Sequence, residues 1–312
     1  MKRHLAWPVS VAALGLVLAG CSGNSSGGDD ASGGDTSAAE TTSAATSAAA
    51  APNPLTEQAA TEYKAYATAQ IDELVTVVKV FTDAVRAGDL QAAQAAYAPS
   101  RMPWERIEPL AGLVEEIDGK VDARVDDFEG VDDPAFTGWH RLEFLLFSEN
   151  TTEGGAPFAD QLDADIATLK EQFPTVEVTP VDVSNGAAEL IEEVSEGKIT
   201  GEEDRYAKTD LWDFDANMQG SQAAVDKLTP ALVEADPALL GKIEAGLTSV
   251  FDTMRPLRDG DGWVLFCTEN DPYPSPRCPE VTVDAATIDT LKAELAGLSE
   301  NLSQVSGVLK LQ

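Results

Sequence analysis

The stretch from residue 56 to residue 87 carries apolar and aromatic side chains at a 3.6-residue spacing, which is typical of one face of an α-helix. This stripe consists of Tyr63, Tyr66, Ile71, Leu74, Val75, Val78, Phe81 and Val85. Gly88 follows directly, and a glycine in that position commonly ends a helix. A long helix with one apolar face needs other helices to cover that face, so this stretch favours a helical bundle.

Two prolines interrupt the region after this first helix. Asp89 can cap a helix that runs through Tyr97, and we expect Pro99 to end it because proline lacks a backbone N–H. Pro103 should then open another helix, from Trp104 to Ile117.

Signals for helix starts recur further along the chain. A polar N-cap followed by proline occurs at Asp133-Pro134, Thr179-Pro180 and Asp236-Pro237. The first of these should start the helix that contains His140. Further helices are predicted over 156–172, 181–195, 210–228, 237–257 and 284–310. No convincing alternating strand pattern appears, so we expect an all-α fold of long antiparallel helices in one or two up-and-down bundles.

The N-terminus has the pattern of a bacterial lipoprotein signal. Lys2 and Arg3 form a basic start, an apolar run follows, and Leu18-Ala19-Gly20-Cys21 is a lipobox. The apolar run is short for a membrane span, although a plain transmembrane anchor is the alternative. We therefore predict a signal peptide at 1–20, Cys21 as the lipid anchor, and an extracytoplasmic protein on the outer face of the cytoplasmic membrane.

Composition separates the rest of the chain into two parts. Residues 21–54 are rich in Gly, Ser, Ala and Thr and predict a disordered tether, whereas 55–312 predict one globular helical domain. The chain has 54 acidic and 21 basic residues, for a net charge of -33. Such a surface repels nucleic acid and raises the local concentration of cations.

Cys267 and Cys278 are the two cysteines of the globular part. In an exported protein this pair predicts a disulfide that closes a proline-rich loop. A thiolate metal site is the alternative, but it would need closer spacing or further ligands.

His140 and Glu143 lie three residues apart in Gly138-Trp139-His140-Arg141-Leu142-Glu143, so they share one face of a helix. An imidazole and a carboxylate aimed at one point form half of a metal site. The alternative is a hydrogen-bonded histidine beside a solvated glutamate. His4, the other histidine, lies in the predicted signal peptide, and an apolar run follows Glu143, so a charged pair entering a core favours an ion or a partner.

Other acids near apolar stripes could complete the site, because metal ligands in bundles project inward from several helices. For any one of these acids taken alone, a solvated surface position is the alternative. The candidate acids are Glu105 and Glu108, then Asp118, Asp122 and Asp126, which form an i,i+4 ladder if helical, and finally Glu202, Glu203, Asp204, Asp210 and Asp213.

A different acidic stretch, Asp259-Gly260-Asp261-Gly262, predicts a turn, because its spacing does not follow a calcium loop.

Several stretches together resemble a known family. They are, in chain order, YKAYATAQIDELV, RMPWERIEPLA, VDARVDD, GWHRLEFLLF, ITGEEDRYAKTDLWDFDANMQG, RDGDGW and LSQVSGVL. This pattern, over about residues 57 to 310, is similar to the imelysin-like domain of the Efe-type iron-uptake lipoproteins. The chain resembles the short, EfeM-like form, in which no cupredoxin domain precedes this one.

The resemblance implies a double four-helix bundle that binds iron, ferrous or ferric, with zinc, manganese or copper as alternatives. It implies two partners, an iron permease in the membrane and a haem-containing peroxidase. The family often has a histidine where Lys208 stands, so this sequence departs from the pattern there. By matching segments, the implied metal ligands are His140, Glu143, Glu105 and Asp122, and a second candidate site comprises Glu203, Asp210 and Asp213.

Two other functions compete with iron transport. A metallopeptidase is one, since imelysin-like proteins are grouped with peptidases. The inverted zincin motif needs a histidine directly after the glutamate, however, and Phe144 stands there. An acidic surface module that binds only protein partners is the other.

The lipobox generates a direct test. Replacing Cys21 with serine removes the thiol that would carry the lipid, so the variant should be released from the membrane fraction or mislocalised. Fractionation of cells followed by immunoblotting measures this. A Cys21→Ser protein that stays membrane-bound at wild-type levels would contradict the prediction.

Overall fold

The computed structural model of the chain describes residues 53–311, and the predicted all-α class is confirmed. The predicted signal peptide, the lipid anchor and nearly all of the tether lie outside these residues. Within them, no helix combines the length and hydropathy needed to span a bilayer. The α-helices are α1 (Pro54–Ala87), α2 (Leu90–Glu105), α3 (Glu115–Val121), α4 (Gly138–Glu143), α5 (Ala156–Gln172), α6 (Pro180–Glu196), α7 (Asp210–Ala235), α8 (Pro237–Met254), α9 (Ala285–Leu302) and α10 (Val305–Leu309).

Two groups of helices share α7. Helix α6 packs against α7 and α9, and α8 packs against the same two helices, so α6 to α9 form one four-helix group. Helix α1 packs against α2 and α5, and α7 contacts both α1 and α2. The apolar side chains of both groups form one continuous core, and α7 is therefore the helix that joins them.

The first helix follows its predicted stripe. Tyr63, Ile71, Leu74, Val78, Phe81 and Val85 are buried, while Tyr66 and Val75 are half-buried at its edges. Gly88 ends α1 with φ +74°, and its N–H donates to the carbonyls of Ala84 and Val85. A residue with a Cβ rarely adopts that backbone conformation, which explains the stop.

The predicted break at Pro99 is wrong. Helix α2 continues through Pro99 and Pro103 to Glu105, although each proline removes a hydrogen bond of the helix interior. Tyr97 and Trp104 are fully buried on this helix, so tertiary packing offsets the local cost. The prediction that Pro103 opens a helix is wrong as well, because a 3₁₀ segment (Glu108–Leu113) follows α2 instead.

The helix that contains His140 starts later than predicted. Asp133 accepts hydrogen bonds from the backbone of Glu129 and Ala135 and so forms a turn rather than an N-cap. Helix α4 begins at Gly138, whose φ is +74° and where a Cβ would lie 2.2 Å from the Val121 carbonyl oxygen. Only glycine permits this approach, which brings the end of α3 against the start of α4.

The predicted ladder of Asp118, Asp122 and Asp126 does not form. Helix α3 ends at Val121, Asp122 is its C-cap, and Asp126 lies in a separate 3₁₀ turn (Val125–Asp127). Helix α4 passes directly into a π-helical turn (Phe144–Ser148).

The C-terminal elements largely follow the sequence. Thr179 and Asp236 cap α6 and α8 as predicted. Helix α7 extends beyond its predicted end to Ala235, and the predicted last helix divides into α9 and α10. The predicted turn joins β1 (Arg258–Asp259) to β2 (Gly262–Trp263) in an antiparallel hairpin, in which Arg258 is opposite Trp263.

Cys267 and Cys278 are joined by a disulfide, in agreement with the sequence. The loop they close lies against the segment before α7. Lys208 Nζ lies 2.7 Å from Asp271 Oδ2 in this loop, and the Arg277 guanidinium donates to the Ala207 carbonyl. The disulfide therefore holds a loop that supports residues 207 and 208.

Removing the disulfide should destabilise the protein. A loop closed by cysteines 11 positions apart stabilises by about 3 kcal/mol, mainly by restricting the unfolded chain. We expect the Cys267→Ser/Cys278→Ser variant to unfold at lower urea than the oxidised wild type. Reduced wild type is the matched control and should behave like the variant; a midpoint equal to that of oxidised wild type would contradict the prediction.

Candidate metal centre

His140 lies in a buried polar cluster between α2, α4 and the segment before α7. Its Nδ1 lies 3.0 Å from Glu143 Oε2, and its Nε2 lies 3.4 Å from Asp122 Oδ1 and 3.6 Å from Glu203 Oε1. Donor atoms of Asp122, His140 and Glu203 lie within 4.8 Å of one another, as do donor atoms of His140, Glu143 and Asp204. Each ring nitrogen of His140 therefore faces different carboxylates.

Glu143 is held from two sides. One carboxylate oxygen pairs with His140, and the other accepts from the backbone N–H groups of Tyr206 (2.7 Å) and Ala207 (2.8 Å). Burial raises the pKa of the Glu143 carboxyl, against the opposing effect of His140. The two side chains share one helix face, as the spacing predicts, but they bond to each other rather than leaving both donors free. Glu143 thus fixes the orientation of the imidazole.

Arg101 places a guanidinium at the centre of the cluster. It lies on α2, and its side chain is fully buried. Its Nη1 lies 3.3 Å from His140 Nε2. The guanidinium pairs with five carboxylates from four parts of the chain. They are Glu105, Asp122, Glu203 at 2.7 Å, its neighbour Asp204 at 3.8 Å, and Asp213 at 3.2 Å. One cation therefore holds together most of the candidate ligands.

Lys198 is a second buried cation. Its Nζ lies 2.6 Å from Glu108 Oε1, 3.2 Å from Glu105 Oε2 and 3.7 Å from Glu203 Oε2. Asn217 on α7 donates to the same glutamates, Glu105 and Glu108. Lys198 thus shares two carboxylates with Arg101, and among the described residues its ion-pair partners are all glutamates.

Three aspartates form the other side of the cluster. Asp204 accepts from the hydroxyl of Tyr97 at 2.7 Å, and its backbone N–H donates to Asp210 at 3.3 Å. Asp210 Oδ2 and Asp213 Oδ2 are buried and have no hydrogen-bond partner within residues 53–311. Burial, reinforced by the charge of Asp204, raises the pKa of both Asp210 and Asp213 well above the ordinary value.

The two carboxyl groups that face His140 Nε2 have lowered pKa values, in contrast to Asp210 and Asp213. Burial opposes charge on Asp122 and Glu203, but nearby cations, Arg101 for the first and Lys198 for the second, outweigh it and hold both pKa values well below the usual range. Burial and Arg101 disfavour a charged His140, yet bonds to its three carboxylate partners raise its pKa well above the ordinary value. A metal at Nε2 must therefore replace a proton.

Acids outnumber bases inside this cluster. Among the described residues, Arg101 and Lys198 are the fully buried cations in contact with it, besides His140, and the half-buried Arg124 pairs with Glu203. Burying carboxylates without counter-charges raises the free energy of the folded protein, so uptake of protons or of a further cation would stabilise the cluster. The buried or nearly buried carboxylates are Glu105, Asp122, Glu143, Glu203, Asp204, Asp210 and Asp213.

An acidic cleft of about 840 Å³ leads from solvent to this cluster. Asp122 and Glu203 line both the cleft and the surroundings of His140. The cleft lining contains nine acidic side chains, among them Asp118 and Glu193, and one basic side chain, Arg124. Its negative potential would concentrate cations next to the cluster.

The predicted site residues come together, though not in the predicted grouping. Glu105 reaches His140 only through Arg101, whereas Glu203, assigned by sequence to the second candidate site, lies beside His140 Nε2. Arg101 and Lys198 were missed. Arg101 and Glu105 stand four residues apart, a spacing that signals an ion pair on a helix, but the predicted break at Pro99 obscured it. No sequence signal marks Lys198.

The chain is similar to known proteins over most of its length. The Imelysin family model, which carries a peptidase-family label, matches residues 59–304. "Iron uptake system component EfeO" of Escherichia coli O157:H7 is 46% identical over 254 residues, which cover 81% of this chain. The proteins of the same name from Escherichia coli K12 and Shigella flexneri are 45% identical over the same length. The alignment spans 64% of the length of each of these relatives.

The cleft electrostatics predict a pH-dependent effect at Asp118. Burial, with the charge of Asp122, raises the pKa of Asp118 from 3.8 to about 7. Between these values the native protein keeps a proton that the unfolded chain releases, so stability falls as pH rises through this window. Asp118→Asn should therefore raise the melting temperature of the metal-free protein more at pH 8 than at pH 5, as measured by calorimetry with a chelator present.

Glu116→Gln is the control for this measurement. It lies on the same helix, but Lys120 lowers the pKa of the exposed Glu116, so the opposite sign is expected. An Asp118→Asn effect of equal size at the two pH values would show that burial of Asp118 does not control its protonation.

Proposed function

The chain belongs to the imelysin family, and from this membership and the buried cluster around His140 we propose that it is an extracytoplasmic iron-binding component of an iron uptake system. The observation that carries the proposal is the convergence of His140 Nε2, Asp122 Oδ1 and Glu203 Oε1 at the inner end of an acidic cleft. The iron is the cargo of this protein.

The proposed ligands differ in role. Asp122, His140 and Glu203 supply the nitrogen and oxygen donors that face one point beside the cleft. Glu143 fixes the imidazole through Nδ1, as carboxylates commonly do for metal-binding histidines. Glu105 belongs to the same charge network and neutralises Arg101 and Lys198.

A second cation position is proposed beside the first. Asp210 and Asp213 each have a buried oxygen without a hydrogen-bond partner in the described residues, and Asp204 lies next to both. Lys208, which stands where the family often has histidine, pairs with Asp271. This position is therefore built from carboxylates alone, which favours a hard cation.

The donor chemistry suits iron. One imidazole with several carboxylates forms a borderline-to-hard set that binds iron, manganese or zinc and lacks the sulfur that copper(I) prefers. Carboxylates at the inner end of an accessible cleft also release their ion more readily than thiolates would. These properties fit a carrier that loads and unloads its cargo.

We further propose that the cargo passes to an Efe-type permease in the membrane, with a haem-containing peroxidase as a second partner, as the family resemblance implies. The lipobox at Cys21 would keep the protein on the outer face of the cytoplasmic membrane. The acidic cleft supports the carrier role over a module that binds only proteins, because it leads directly to buried donors.

The same observations argue against a metallopeptidase. A catalytic zinc site of the zincin type needs two histidines, and His140 is the one histidine outside the predicted signal peptide. Both of its ring nitrogens already face carboxylates. We therefore propose that the protein is a binding component without peptidase activity.

Substitutions at His140 and Glu143 test the proposed centre. His140→Ala removes the nitrogen ligand and should lower iron affinity by well over tenfold, while Glu143→Gln should lower it by about tenfold because the imidazole loses its oriented partner. Anaerobic calorimetric titration with ferrous iron, or titration with chelated ferric iron, measures both.

Asp165→Asn is the matched control. Asp165 is also buried, but it lies on α5 and pairs with Gln161, outside the cluster. Its substitution should leave iron affinity unchanged. Unchanged affinity in both His140→Ala and Glu143→Gln would instead place the iron among the acids of residues 202–213.

A further inference from the structure

The guanidinium of Arg101 lies where an ion bound by the proposed ligands would lie. It pairs directly with Asp122 Oδ1, lies 2.7 Å from Glu203 Oε1, and has Nη1 3.3 Å from His140 Nε2. Those are the same three atoms that face one point beside the cleft. Metal bonds to such donors are about 2.0–2.2 Å long, so an ion there would meet the guanidinium nitrogens.

Two cations cannot share these donors at such short range. A guanidinium only donates hydrogen bonds, and its nitrogens take up lone pairs of the Asp122 and Glu203 oxygens that face His140 Nε2. A metal ion needs those same lone pairs, and its charge would repel that of Arg101 in a poorly solvated environment. Loading therefore requires the guanidinium to leave.

We propose that Arg101 is an internal counter-cation that exchanges with the metal. In the metal-free protein the guanidinium occupies the space among Asp122, His140 and Glu203. An incoming ion displaces it from these groups, and its return to them promotes release of the ion. This inference rests on the proposed function, because it concerns the same centre. It makes Arg101 a residue that sets affinity without being a ligand.

The structure offers a position for the displaced side chain. Arg101 Nε already donates to Asp213 Oδ1 at 3.2 Å, while Asp213 Oδ2 is buried and has no hydrogen-bond partner within residues 53–311. A guanidinium that moves away from His140 can remain bound to Asp213 and use the second oxygen, so the displaced arginine and an ion at the proposed second position would compete for that oxygen. The exchange then leaves neither the arginine nor that carboxylate unpaired.

Lys198 distinguishes exchange from simple electrostatic repulsion. It is as deeply buried as Arg101 and carries the same charge, and it contacts Glu105 and Glu203 as Arg101 does. Its Nζ pairs with glutamates and is not in contact with His140 Nε2. Removing Lys198 therefore lowers the local positive charge by the same amount without clearing the position of the metal.

The test compares Arg101→Met with Lys198→Met by anaerobic calorimetric titration with ferrous iron. Methionine has a similar length and no charge, so it fills the space of either side chain. We expect Arg101→Met to bind iron at least about tenfold more tightly than wild type and than Lys198→Met, because it has no bound cation to expel. We also expect its metal-free melting temperature to fall and its iron-induced rise in melting temperature to exceed that of wild type.

Other outcomes separate the two proposals. Equal gains in affinity in the two variants would show that Arg101 acts only through its charge, which would overturn the exchange. No gain in affinity in Arg101→Met would overturn it as well. If wild type and both variants bind no iron, the proposed function itself is wrong.

A structural measurement covers the case in which metal-free Arg101→Met does not fold. Anomalous diffraction from an iron-soaked crystal of the wild-type protein locates both the ion and the arginine. The exchange predicts iron beside His140 Nε2 with the guanidinium withdrawn toward Asp213. Iron at His140 with Arg101 still paired to Asp122 would overturn it.

Discussion

The burial of an ionised arginine among carboxylates is the interaction on which the rest of this site depends. Acids brought together in a core repel one another and lose their hydration, and each such group is tolerated only with a counter-charge or a proton. Arg101 provides that counter-charge to Glu105, Asp122, Glu203 and Asp213 at once. The fold can therefore assemble this buried cluster of carboxylates around a cation of its own.

Several local features serve this arrangement. Helix α2 runs through two prolines and so keeps Arg101 and Glu105 one turn apart on a buried face. Gly138 allows the start of α4 to touch the end of α3, which places His140 beside Asp122. The backbone of residues 206 and 207 holds Glu143, and the disulfide loop in turn supports that segment. Donors from separate elements thus converge because their supports are packed rigidly together.

The same electrostatics support the proposed carrier role. The imidazole of His140, the one histidine among residues 53–311, faces carboxylates through both of its ring nitrogens. An acidic cleft attracts cations, the cluster at its inner end gains from an added positive charge, and an internal arginine keeps the empty state stable. Under the proposed function, binding would exchange one cation for another among these carboxylates, so its free energy would be the difference between two states in which a cation offsets part of the acidic charge.

The sequence by itself determined the elements whose signals are local. Periodic apolar positions defined α1, cap residues defined the starts of α6 and α8, and a three-residue spacing put His140 and Glu143 on one face. The two cysteines of the globular part predicted their own pairing.

Only the tertiary structure decided that α2 continues through Pro99 and that Glu203 lies beside His140. It also decided that Arg101 and Lys198 neutralise the cluster, since Arg101 meets Glu203 across 102 positions and Lys198 meets Glu105 across 93. Burial of charge depends on all the elements packed around a group, so no spacing along the chain records it.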